Sequence, residues 1–138
     1  MEQKEAGKTK GAGFVAGVRR TFDNPSEKAW DDLFSAPGLA LWLGVITQGA
    51  FEKGQDFVTS NGITGKLTVW EPYSHIRMQY KRPEWENASI VQVRVMPADN
   101  KTTVSFHQEK ISDSTRRQQM KAHWAEVLDT LAAKLWQA

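Results

Sequence analysis

The sequence predicts an α+β fold: an antiparallel sheet of about six strands wrapped around a long C-terminal helix, with two short helices after the first strand. Three observations carry this. A strand-like run from Lys101 to Glu109 leads into an amphipathic stretch, Asp113 to Trp136. There Met120, Trp124, Val127, Leu128, Leu131 and Leu135 recur at helical spacing. Ahead of it, short alternating apolar runs are separated by Gly, Pro and Asn turns, the pattern of an antiparallel meander. A helix this long with Trp124 in mid-stripe needs a broad apolar partner, and only the preceding strands supply one.

Each element follows from local chemistry. Residues 1–13 are rich in Lys, Glu and Gly without periodicity and read as a disordered tail before a single domain over 14–138. Phe14 to Phe22 alternates as a first strand. Asn24 then Pro25 reads as an N-cap with proline at the first helical position, and Glu27 is placed to bond back toward the cap. Ala29, Trp30, Leu33 and Phe34 give that helix a buried face. Pro37-Gly38 ends it, and a second short helix covers Leu39 to Leu43. A weak strand is expected around Phe51 to Val58, then a tight hairpin turn at Asn61-Gly62. Ile63 to Trp70 alternates. Ile76, Met78 and Tyr80 share a face of the next strand, and Val91, Val93 and Val95 a face of another. Ala98-Asp99-Asn100 turns into the final strand, with Val104 and Phe106 pointing inward.

Composition excludes several function classes. With 138 residues, 40% of them apolar and 25% charged, the chain has the make-up of one globular domain. A net charge of +2, with positive residues scattered, argues against nucleic acid as partner. The absence of cysteine rules out disulfides, thiolate metal sites and cysteine nucleophiles. No apolar run approaches a membrane span and the N-terminus has no apolar signal core, so a cytoplasmic protein is expected. Six tryptophans are the one skew; such rings fill cores, and they also line cavities for flat apolar ligands.

Catalytic and metal chemistry finds no support. His75 falls at a turn, His107 on the outer side of the sheet, and His123 at the edge of the buried helical stripe; none has the spacing of a metal pair. Asp31-Asp32 point about 100° apart on a helix and cannot share a proton. No serine carries a nucleophile signature. No cofactor is expected. Trp85 lies in a loop after Pro83, either as a surface contact or folded back over the sheet. Arg116-Arg117 opens the long helix, where a solvated start is the plain reading.

The order strand, two helices, five strands, long helix is the helix-grip arrangement, and local segments strengthen it. Arg20-Thr-Phe-Asp-Asn-Pro25 with Ala29-Trp30 resembles the opening of the SRPBCC/START-like superfamily, in the bacterial branch related to the C-terminal domain of the heat-shock protein 90 ATPase activator. Gly65-Lys-Leu-Thr-Val-Trp-Glu-Pro72 with Ile76 and Tyr80 is similar to that family's central hairpin. Thr103-Val-Ser-Phe-His-Gln-Glu109, then His123-Trp124, Leu128 and Leu131, is similar to its closing strand and helix. The likeness runs from Phe14 to Leu135, and the lack of cysteine separates the chain from the Rieske oxygenase branch. The resemblance implies an apolar cavity between sheet and long helix.

Trp42, Leu67, Val69, Met78, Tyr80, Val93, Phe106, Met120 and Trp124 are expected to face that space, with the Tyr80 hydroxyl and the Trp124 indole N–H as polar handles. The same residues could instead pack tightly and leave no cavity. Three functions follow, in order of support. The first is a module binding an apolar, aromatic or lipid-like small molecule. The second is a co-chaperone or protein-interaction domain whose partner is a chaperone or another protein. The third is a cyclase or hydrolase acting in the cavity.

Overall fold

An eight-stranded antiparallel sheet packs its concave side on the C-terminal helix in the computed structural model, which describes residues 8–9 and 13–136. The strands are β1 (Lys8–Thr9), β2 (Gly13–Phe22), β3 (Ile46–Gly49), β4 (Asp56–Thr59), β5 (Thr64–Glu71), β6 (His75–Lys81), β7 (Ser89–Ala98) and β8 (Lys101–Ile111). The helices are α1 (Ser26–Phe34), α2 (Ala36–Trp42) and α3 (Ser114–Leu131), the last continued by a π-helical turn over Ala132–Trp136. Sheet order is β1-β2-β8-β7-β6-β5-β4-β3, so β2 closes beside the last strand and the rest is a meander. This is the helix-grip fold. Two strands beyond the expected six are β1 and β3. Lys8–Thr9 pairs with Phe14 and Gly13; the rest of the expected tail before Gly13 lies outside the described residues.

Side-chain alternation sets the register. Val91, Val93 and Val95 of β7 face Met78, Ile76, Val104 and Phe106 across the ladders, all buried on one side. The Asp99-Asn100 turn between β7 and β8 has φ of 47° and 69°, the paired left-handed geometry of a two-residue hairpin turn, which Asp and Asn tolerate. Gly62 sits at φ 86° in the β4–β5 turn, as the Asn61-Gly62 pair predicts.

Three local expectations change. The strand expected at Phe51 to Val58 begins only at Asp56. Residues 51–54 instead form bends and turns, and Phe51 folds inward against Phe34 and Phe57, with centroids 6.0 and 5.7 Å away. Its apolarity reflects packing from a turn rather than a strand. Helix α1 starts one residue later than expected: Pro25 is the cap, extended at ψ 144°, and no side chain caps the helix. Pro37-Gly38 does not separate the helices but lies in the first turn of α2, where proline costs no hydrogen bond. Ser35 caps that turn by accepting from Gly38 N at 3.1 Å. The helices cross so closely that a Cβ on Gly38 would lie 1.8 Å from the Asp32 carbonyl oxygen.

Helix α3 is capped by Asp113, whose carboxylate accepts from Arg116 N at 2.7 Å. Met120, Trp124, Val127, Leu128 and Leu131 form its buried stripe. The wide π turn then changes the spacing, so that Trp136, five residues after Leu131, is buried while Leu135 is only half-buried. Trp136 packs on Phe22 at 4.6 Å and donates its indole N–H to Asp32 at 3.1 Å, tying the chain's end to α1.

Candidate functional site

Eight of the nine expected lining residues converge inside the grip. Trp42, Leu67, Met78, Tyr80, Val93, Phe106, Met120 and Trp124 are all buried. Several of their rings touch one another. The Phe106 and Trp124 rings stack at 4.8 Å and 10°, Trp42 meets Phe106 edge-on at 5.6 Å, and Tyr80 lies 5.9 Å from Trp124.

Val69 is the exception. A β-bulge between Leu67 and Val69 adds one residue to β5, so Val69 pairs with Arg77 on the outer face while Trp70 pairs with Ile76 on the inner one. The inward position falls to Trp70, 5.3 Å from both Trp30 and Phe34.

The two expected polar handles are already engaged. Trp124 donates its indole N–H to Gln108 Oε1 at 2.8 Å. Gln108 Nε2 donates to Ser89 Oγ at 2.8 Å, and Ser89 donates to the Tyr80 carbonyl at 2.8 Å. The Tyr80 hydroxyl accepts from Arg82 Nε at 3.2 Å, and burial pushes its pKa up against the opposing pull of the Arg82 charge. Gln108 and Ser89 were missed as inward residues. The signal was present: Gln108 stands two residues beyond Phe106, and alternation places both on one face.

Open space lies at the rim instead. A cleft of about 320 Å³ opens where α2 ends, at the β4–β5 turn, after β6 and beside α3. Its apolar wall is Leu41, Trp42, Ile63 and Pro83; its polar groups are Asn61, Arg82, Glu84 and His123. The position of His123 one residue before Trp124 turns its ring toward this cleft, edge-on to the indole at 4.7 Å. Its Nε2 is buried without a hydrogen-bond partner among the described residues. Burial, helped by the Arg82 charge, pushes its pKa down to about 4, so the imidazole is neutral at pH 7. Volume and mixed lining fall at the small end of ligand sites, about 300–1,000 Å³.

The remaining candidates have structural partners. Trp85 is 5% exposed, edge-on to Tyr80 at 5.9 Å, with the Arg116 guanidinium 5.6 Å over its ring. It is not a surface contact. Arg117 donates to the Val15 carbonyl at 2.7 Å, so this pair fastens the start of α3 rather than sitting in solvent. His107 lies half-buried on the outer face, as alternation predicts, and His75 bonds the Ser74 hydroxyl at 2.9 Å. Among the described residues, no three His, Asp or Glu side chains are grouped to hold a metal, and no helix is long and apolar enough to cross a membrane.

Comparison with solved structures agrees with the fold. CalU16 from Micromonospora echinospora superposes with a TM-score of 0.77 at 17% identity, over 86% of this chain and 74% of CalU16. DynU16, from the dynemicin biosynthetic locus, matches at 0.78 and 16% over 88% of this chain, which spans only 46% of DynU16. PFC0360w, an HSP90 activator from Plasmodium falciparum, matches at 0.74 and 19%, over 88% of this chain and 95% of PFC0360w. No curated protein matches in sequence. The model of one family covers residues 23–135, from the turn before α1 to the last turn of the chain. By that match the chain belongs to the family of activator of Hsp90 ATPase homolog 1-like proteins.

Proposed function

We propose that this protein is a small-molecule binding module whose ligand sits in the rim cleft, with Trp42 as the inner wall and the packed sheet–helix core as its rigid support. The observation that carries this is the concave apolar wall of Leu41, Trp42, Ile63 and Pro83 with the polar side chains of Asn61 and Arg82 beside it. The expected interior residues then act by shape. Phe106 and Trp124 pack on Trp42, and Trp124 on His123, rather than touching the ligand themselves. Membership of the family, and the superposition on CalU16 and DynU16, support a shared scaffold.

A second reading, a chaperone-binding domain, draws on the family and on the likeness to PFC0360w. It loses its named contact, because Trp85 is buried under Arg116. Catalysis has less support: of the cleft residues suited to proton transfer, Glu84 is exposed and His123 Nε2 has no orienting partner among the described residues.

Calorimetric titration of flavonoids, fatty acids and sterols into the wild type and Ala40→Trp tests the proposal. Ala40 is exposed at the cleft wall, so an indole there fills the cleft without entering the core. Saturable binding that weakens at least about tenfold in the folded variant is expected. Equal affinity in both proteins would place the ligand elsewhere.

A further inference from the structure

We infer that the cleft selects an apolar ligand bearing one carboxylate. The inference rests on the cleft being the binding site. It comes from counting donors and acceptors around the opening. Arg82 uses Nε on the Tyr80 hydroxyl, and its two terminal amino groups have no partner among the described residues. Among the described residues, Arg82, half-buried in the cleft wall, pairs with no carboxylate, as Arg19, Arg94 and Arg117 also do not, and it is the one arginine that lines the cleft. Glu84 shares the cleft yet is exposed and makes no ion pair with Arg82.

Asn61 accepts from the Thr59 hydroxyl through its carbonyl oxygen, which leaves its amide N–H groups for the opening. His123 lines the cleft with its ring, but its Nε2 is buried. The cleft therefore offers N–H donors from two side chains, one of them a charged fork, while the Glu84 side chain is exposed. A planar anion with two acceptor oxygens matches that set, since guanidinium binds carboxylate through two parallel hydrogen bonds. Leu41, Trp42, Ile63 and Pro83 supply the wall for the ligand's apolar body. Tyr80 keeps the guanidinium in place, because its hydroxyl is held by the core.

The test is calorimetric titration of 1-naphthoate and its methyl ester into wild type, Arg82→Gln and Arg82→Lys, each checked for folding by circular dichroism. Naphthoate is expected to bind the wild type at least about tenfold tighter than the ester. Arg82→Gln should erase that preference while leaving ester affinity within about threefold, and Arg82→Lys should restore part of it. Equal or tighter binding of the ester to wild type would overturn the acid preference and leave the cleft as an apolar site. No binding of either compound to the folded wild type would overturn both the preference and the cleft itself.

Discussion

Two polar side chains, buried Gln108 and half-buried His123, bear on stability. Gln108 bridges Trp124 and Ser89, so one amide satisfies an indole donor and a hydroxyl acceptor that would otherwise be orphaned in an aromatic core. Gln108→Leu keeps most of the volume but strands the Trp124 indole N–H and leaves Ser89 only its bond to the Tyr80 carbonyl. A loss of about 1–3 kcal/mol is expected in urea unfolding; an unchanged midpoint would mean that the bridge contributes nothing. His123 makes stability depend on pH. Its imidazole titrates near 6.5 when unfolded and at about 4 when folded, so in that window the unfolded chain takes up a proton that the folded chain refuses. Stability should therefore be full above pH 6.5, fall as pH drops toward 4 and level off below. His123→Gln should flatten that decline, measured as denaturant midpoints at pH 7 and 4.5. The sequence placed His123 at the edge of the buried stripe, but its neighbour Arg82 is brought beside it only by the fold, and no spacing along the chain announces that.

Among the elements, alternation and turn chemistry were readable wherever a single rule applied. The hairpins at Asn61-Gly62 and Asp99-Asn100 and the inward faces of β6, β7 and β8 follow from local sequence. The bulge in β5 was not readable, because Val69 and Trp70 are both apolar and either could face the core. The α1–α2 junction misled for a related reason: Pro-Gly breaks helices in general, yet here proline starts one and glycine permits the crossing. Gly38→Ala should lose at least about 2 kcal/mol in thermal unfolding, since backbone rather than a movable side chain stands 1.8 Å from the new methyl group. Retained stability would mean that α1 and α2 can move apart. Trp85→Ala should cost about 3 kcal/mol, the scale of a buried ring lost from a core, where a surface residue would cost under about 0.5 kcal/mol. Chemical denaturation of the variant distinguishes the two values.

For the molecule as a whole, the helix grip was legible because one long stripe on α3 demanded one apolar sheet face. Whether that grip encloses a cavity was not. Filled and hollow versions need the same apolar residues, and the contacts that join Trp42, Phe106 and Trp124 are made only by the fold. The proposed binding site lies at the rim where α2, the β4–β5 turn and α3 meet. The most direct test is a backbone amide NMR titration with a saturating aromatic carboxylate such as 1-naphthoate. The account predicts shifts concentrated at Leu41, Gly44, Ile63, Arg82 and His123, with the outer-face residues Arg19 and Ser105 unmoved. Shifts centred on those outer-face residues, or none in a folded protein, would contradict it.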